Sequence, residues 1–120
     1  MKEHQFRRLT IWQRSMIFVT KIYKLTTTFP KIEQYGLVDQ IRRAAVSIPL
    51  NIAEGSGAGS NIEFVRFLLI AKRSAYEVIT GLEIAKNLEY GNSVALDSHI
   101  TEAQEIAAMI VGLVKELKSR

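Results

Sequence analysis

Between Phe64 and Ala85 the apolar residues recur at alternating steps of four and three: Phe64, Leu68, Ala71, Ala75, Val78, Leu82 and Ala85. That spacing keeps every one of them on one side of a 3.6-residue helix, whereas a strand would scatter them over both faces. A second stripe lies beside it: Phe67, Ile70, Ser74, Glu77, Gly81, Ile84 and Leu88, polar or small in its middle. A helix with two adjoining stripes is covered over a wide arc and needs neighbours on more than one side. The recurring alanines predict a close approach, near the short end of the ~8–10 Å interaxial range. The start of this helix is marked as well. Ser60-Asn61-Ile62-Glu63 reads as a capping box, with Ser60 accepting from the Glu63 N–H and Glu63 reaching back to the Ser60 N–H.

The rest of the chain supplies the neighbours. Leu9, Trp12, Met16, Val19 and Tyr23 form one stripe, and Ile11, Phe18, Ile22, Leu25 and Phe29 a second, up to the stop at Pro30. Trp12 and Tyr23 are expected in the core. Leu37, Ile41, Ala44, Ile48 and Ile52 follow, with Gly55 as the expected left-handed C-terminal cap. Pro49 lies inside this segment and cannot donate to the carbonyl of Ala45, so a kink or short break is expected there. Gly55-Ser56-Gly57-Ala58-Gly59-Ser60 lacks the Gly-Lys-Ser/Thr ending of a phosphate loop and reads as a flexible connection. After the turn Tyr90-Gly91-Asn92, Ser93 is the expected N-cap of a last helix carrying Leu96, Ile100, Ala103, Ala107, Ile110, Val114 and Leu117. No segment alternates with period two for long enough to be a strand. The reading is all-α: one domain, 1–120, an antiparallel up-and-down four-helix bundle with helices at about 9–28, 37–55, 61–88 and 94–118 and the second kinked near Pro49.

Composition narrows the chemistry. The chain has no cysteine, which excludes disulfides and thiolate metal sites. Residues 1–8 are polar and charged, unlike a signal peptide, and no apolar run is long enough to span a membrane. A cytoplasmic protein without a membrane partner is expected.

The net charge of +4 is unevenly placed. Residues 1–60 hold nine Lys/Arg against four Asp/Glu, and residues 61–120 seven against eight. No acid lies between Glu3 and Glu33, whereas Arg7, Arg8, Arg14, Lys21, Lys24 and Lys31 all do. Arg7, Arg14 and Lys21 recur every seven residues on one helix face, with Lys24 near it. These four are the candidate nucleic-acid-binding residues, since phosphate contacts need positive charge without base-specific geometry. The competing reading is an ordinary solvated helix face. No helix-turn-helix, zinc or RNA-recognition signature accompanies them.

The second helix carries a polar stripe, Gln40, Arg43, Ser47, Asn51 and Glu54, and the third carries Ser74 and Glu77 inside its second apolar stripe. Polar groups among apolar stripes must find hydrogen bonds, so Arg43, Ser47, Asn51, Glu54, Ser74 and Glu77 are expected to form a buried structural network. The alternative is a Glu54/Glu77 carboxylate pair working in acid–base or metal chemistry. No nucleophile or base accompanies the pair, and a di-iron site would need Glu-x-x-His repeats. His4 and His99 are the only histidines, and both are expected at the solvated surface. No catalytic residue, metal or cofactor is expected.

The run Leu37-Val-Asp-Gln-Ile-Arg-Arg-Ala-Ala-Val-Ser-Ile-Pro-Leu-Asn-Ile-Ala-Glu-Gly55, with Glu63-Phe64, Arg66-Phe67-Leu68, Ile70-Ala71, Ser74-Ala75 and Glu77 after it, resembles a bacterial family. Phe29-Pro30, Glu33 and Gly36-Leu37 extend the match upstream. It is the four-helix-bundle family of proteins encoded in intervening sequences of large-subunit ribosomal RNA genes, and it is similar to the accessory protein of diversity-generating retroelements. The resemblance implies an up-and-down bundle assembled as a homopentamer, and for the retroelement relative a partnership with nucleic acid and a reverse transcriptase. Similar proteins often carry Arg or Lys in the loop after Gly55, where this chain has Ala58. Two functions are therefore expected in competition. One is a non-enzymatic oligomeric accessory protein that binds RNA or DNA through the basic helix. The other is an oligomeric scaffold that binds a protein partner without nucleic acid.

Overall fold

A computed structural model describes residues 5–120. Four helices follow one another, α1 (Thr10–Thr26), α2 (Leu37–Ser56), α3 (Asn61–Asn87) and α4 (Ser93–Ser119), with short 3-10 turns at Gln5–Arg8 and Lys31–Glu33. Each helix packs on the next, and α4 closes against α1. The diagonal pairs, α1 with α3 and α2 with α4, do not meet. This is the square cross-section of an up-and-down bundle, 45 Å long and 22 × 19 Å across.

The α3 and α4 stripes form the core as their spacing requires. Phe64, Leu68, Ala71, Ala75, Val78, Leu82 and Ala85 are all buried, and so are Leu96, Ile100, Ala103, Ala107, Ile110, Val114 and Leu117. Of the two apolar stripes of the first segment, only Ile11, Phe18, Ile22 and Leu25 on α1, with Phe29 just beyond it, are buried throughout. Trp12 packs half-buried at the edge, with Phe6 against it edge-on at 5.3 Å. Tyr23, expected in the core, is exposed: the Arg42 guanidinium covers its ring at 4.5 Å. Arg42 also donates to the Tyr23 carbonyl and to Thr26 Oγ1, placing a cation at the negative end of the α1 dipole.

Four local expectations need correction. Of the kink or short break expected at Pro49, the break does not occur: α2 runs on to Ser56, and the Pro49 ring is buried along with Ile48 and Ile52. Gly55 is not a left-handed cap. It lies inside α2, where an added Cβ would stand 2.8 Å from Phe67 Cβ and 2.9 Å from Phe64 Cδ1, so the glycine permits close packing of α2 on α3. Only half of the capping box forms: Ser60 Oγ accepts from the Glu63 N–H, while the Glu63 carboxylate turns to Arg66 at 2.9 Å. That ion pair holds the Glu63 carboxyl below the usual carboxylate range. Finally, the N-cap of α4 is Asn92, whose Oδ1 accepts from the Ala95 N–H, and Ser93 is the first helical residue.

Candidate functional site

Two surfaces bring the predicted polar residues together. The first is a groove of about 630 Å³ between α2 and α3. Leu37, Gln40, Ile41, Arg43, Ala44 and Ser47 form one wall; Arg73, Ser74, Tyr76, Glu77, Thr80, Gly81 and Ile84 form the other. Its floor is low because the residues there are small. At Gly81 a Cβ would fall 2.5 Å from Ile41 Cγ1, so α2 leans directly on α3.

A hydrogen-bonded seam crosses the groove. Ser74 Oγ, almost fully buried, donates to the Ile70 carbonyl at 3.0 Å and lies 2.9 Å from Ser47 Oγ, whose hydroxyl can donate to it. Asn51 Nδ2 donates to Ser47 Oγ at 2.9 Å and to the Ser47 carbonyl at 2.8 Å. The structure thus joins Ser47, Asn51 and Ser74, and leaves the three charged members of the expected network outside it. Arg43 is exposed and pairs with Asp39 one turn away. Glu54 and Glu77 are both exposed. The reason is geometric: long charged side chains at the edges of a stripe reach water, while Ser and Asn are too short to do so.

The second surface is the outer face of α1 beside α4. Arg14 Nη2 lies 2.8 Å from Glu105 Oε1 and 3.9 Å from Glu102 Oε2, and Lys21 Nζ lies 3.1 Å from Glu102 Oε1. Two of the four candidate nucleic-acid residues are therefore partly neutralised within the chain. Lys24 is exposed and makes no ion pair among the described residues. Arg7, in the first turn, lies over the Phe6 ring at 5.5 Å. His99 is half-buried rather than freely solvated: its Nδ1 is 2.5 Å from the Ala95 carbonyl, and it shares a cleft with Lys21, Lys24 and Glu102. His4 lies outside the described residues.

Glu102 and Glu105 are the functional neighbours that the sequence reading missed. Their spacing of three on α4 was a signal, because α4 must lie beside α1 in a four-helix ring and opposite charges align across such a seam. Among the described residues no three His, Cys, Asp or Glu are grouped to hold a metal. No helix among them is long and apolar enough to cross a membrane.

Comparison with known proteins decides the family. The sequence profile of the 23S rRNA-intervening sequence proteins matches residues 7–112. The chain belongs to this family. A solved structure similar to it is that of a protein of unknown function from the S23 ribosomal protein family of Bacteroides thetaiotaomicron VPI-5482. That protein is 27% identical, over 88% of this chain and 99% of the other, with a TM-score of 0.80. No curated protein sequence matches the chain. The family match spans α1 to α3 and α4 as far as Gly112, including both walls of the groove and the basic face of α1.

Proposed function

We propose that this intervening-sequence family member is a non-enzymatic, self-associating accessory protein of the cytoplasm, whose copies pack side by side through the α2/α3 groove. The observation that carries this reading is the groove's chemistry. Tyr76, Ile84 and Leu88 on the α3 side are 49%, 44% and 50% exposed, beside a polar seam whose donors are already satisfied. No buried side-chain N or O among the described residues lacks a partner. A second chain can cover this seam without stranding its hydrogen-bonding groups, a loss that would cost about 1–3 kcal/mol for each group left unpaired, while Gln40, Arg73 and Glu77 on the groove walls would pair with polar groups of the incoming chain.

The chain has another, unlike apolar surface: Met16 and Ile17 on α1 and Leu50 on α2 are 44%, 57% and 59% exposed. Two different apolar faces on one molecule favour a heterologous contact, in which the α1 face of one copy meets the groove of the next and the chain of contacts closes as a ring. The family resemblance supports five copies. Cysteine pairing tests the contact, since the chain contains none of its own. A mixture of Ile17→Cys and Ile84→Cys chains should form mixed disulfides on oxidation in preference to pairs of like chains, because the bond requires Cα atoms within about 7 Å. Absence of the mixed product removes the proposed contact.

A second reading, nucleic-acid binding along α1, is favoured by the net charge of +4 and by Lys24, which makes no ion pair among the described residues. The Arg14 and Lys21 pairs are only partly buried and open to solvent on one side, so a phosphate backbone could compete for them. A ring would repeat the face and add avidity. The test replaces Arg7 and Lys24 by Glu, which spares the ion pairs to α4. Binding of duplex and single strands should weaken, and the log–log salt slope should flatten by roughly 0.9 per lost duplex contact. Equal affinity with an unchanged slope excludes this face as the binding surface.

A further inference from the structure

Four exposed apolar side chains flank the two connections at one end of the bundle. Ile32 is 88% exposed and Tyr35 89%, both in the α1–α2 connection; Val94 is 76% exposed and Leu88 50%, flanking the α3–α4 connection. Because the helices are antiparallel, both connections lie at the same end, and side chains tie them to each other. Tyr90 Oη donates to Glu33 Oε2 at 2.8 Å, and Glu33 Oε1 accepts from the Leu37 N–H at 3.2 Å. The Phe29 and Tyr90 rings pack at 5.8 Å, and Gly91, at φ +67°, lies against Phe29 where a Cβ would come within 3.3 Å of the ring. The apolar side chains therefore stand on a fixed base, and a fixed exposed apolar patch marks an interaction surface.

The charges around the patch identify the partner. Lys86 is closed by Asp97 at 2.8 Å, and Glu33 is held by Tyr90 and the α2 backbone. Lys31 and Glu89, one of each sign, make no ion pair among the described residues. A patch with balanced charge has no special attraction for a polyanion or an anionic lipid surface. It suits a copy of itself, because a two-fold axis laid across this end can bring each Lys31 to the Glu89 of the other copy, twice over. We propose that this bundle end is a second self-association surface, distinct from the groove, through which two copies of the chain dock end to end.

The bundle cross-section of 22 × 19 Å gives roughly 420 Å² for each copy. Two copies then bury about 840 Å², below the ~1,200–2,000 Å² of a stable standard interface, so the contact is weak and concentration-dependent for single copies. Copies already joined through the groove would present several ends at once and stack more tightly. The end contact itself does not require the groove contact, and the experiment separates them. Sedimentation would be followed from micromolar to near-millimolar concentration for the wild type, for Ile32→Ser/Tyr35→Ser/Val94→Ser, for Lys31→Glu, for Glu89→Lys and for the joint reversal. The same set would be repeated in a Tyr76→Glu/Ile84→Glu groove background. The substituted groups are on the surface, so the fold persists, as circular dichroism would verify. In either background the mass should double with concentration for the intact end and stay undoubled for the triple variant. Each single reversal should weaken the doubling by about tenfold, equivalent to 1.4 kcal/mol, and the joint reversal should restore it. Coincident mass curves for wild type and triple variant, or a joint reversal as weak as the single ones, would overturn the proposal. So would capture of anionic vesicles or nucleic acid by the intact end without any doubling.

Discussion

Replacing Gly81 by Ala should destabilise this bundle, although the same change in a helix interior ordinarily stabilises it. In α3 the intrinsic gain of Ala over Gly is about 0.8–1.0 kcal/mol. Against it stands the contact with α2: the new Cβ would lie 2.5 Å from Ile41 Cγ1 and 3.2 Å from its Cδ1. Ordinary carbon contacts fall at ~3.5–4.0 Å, so the atoms must separate by about 1 Å. Ile41 cannot swing clear, because it is 1% exposed and Cγ1 is near the root of the side chain. The helices themselves must part, which puts the cost near the top of the ~1–3 kcal/mol overpacking range. The net loss is then about 2 kcal/mol. At roughly 4 °C per kcal/mol for a domain of this size, the melting temperature should fall by about 8 °C. Gly112 is the internal control, since it is exposed on α4 with nothing within 4 Å of a Cβ. Gly112→Ala should gain the ~0.8–1.0 kcal/mol of propensity and melt higher. Urea titrations followed by circular dichroism, at one protein concentration, give both values. If the two variants shift stability in the same direction and by similar amounts, the close approach of α2 and α3 at Gly81 is wrong.

Ala71→Leu and Ala75→Leu should each cost about 1–3 kcal/mol in the same titration, because both alanines are fully buried on the α3 stripe. Tyr90→Phe should loosen the two connections by removing the bond to Glu33, and its effect should depend on pH. That hydrogen bond raises the Tyr90 phenol above its ordinary value of 10.0. The bond's contribution is complete below that value and vanishes as pH rises through the higher folded-state value, so wild type and variant should converge in stability at strongly alkaline pH. A stability gap that widens there would contradict the assignment of Tyr90 as donor.

The core of this fold is legible in the sequence because it depends on periodicity alone. Every residue of the first α3 stripe and of the α4 stripe is buried, with Val65 and Ile106 buried beside them. What spacing cannot show is which of two adjoining stripes another element covers. On α1 the stripe with Met16 and Tyr23 stays at the surface, and on α3 the stripe with Glu77, Ile84 and Leu88 borders an open groove. The same limit explains the polar network. Ser47, Asn51 and Ser74 are placed correctly by their positions, but the reach of Glu54 and Glu77 into water depends on side-chain length at the edge of a stripe. The carboxylates beside the basic face were not legible for a different reason. Charge runs along α1 are visible locally, whereas Glu102 and Glu105 lie about eighty residues or more away in sequence and become neighbours only when the bundle closes. Gly55 likewise reads as a helix stop until Phe64 and Phe67 are brought against it.

Side-by-side assembly through the α2/α3 groove is the central claim, and the mass of the protein in solution tests it most directly. Light scattering at tens of micromolar should give a multiple of the 13.6 kDa chain. Five copies, the number that the family resemblance supports, would weigh about 68 kDa, five times 13.6 kDa. The Tyr76→Glu/Ile84→Glu variant should stay folded and fall to the mass set by end-to-end contacts alone, one or two chains. A wild-type mass of one chain across that concentration range, or a multimer unchanged by the groove substitutions, would contradict the account.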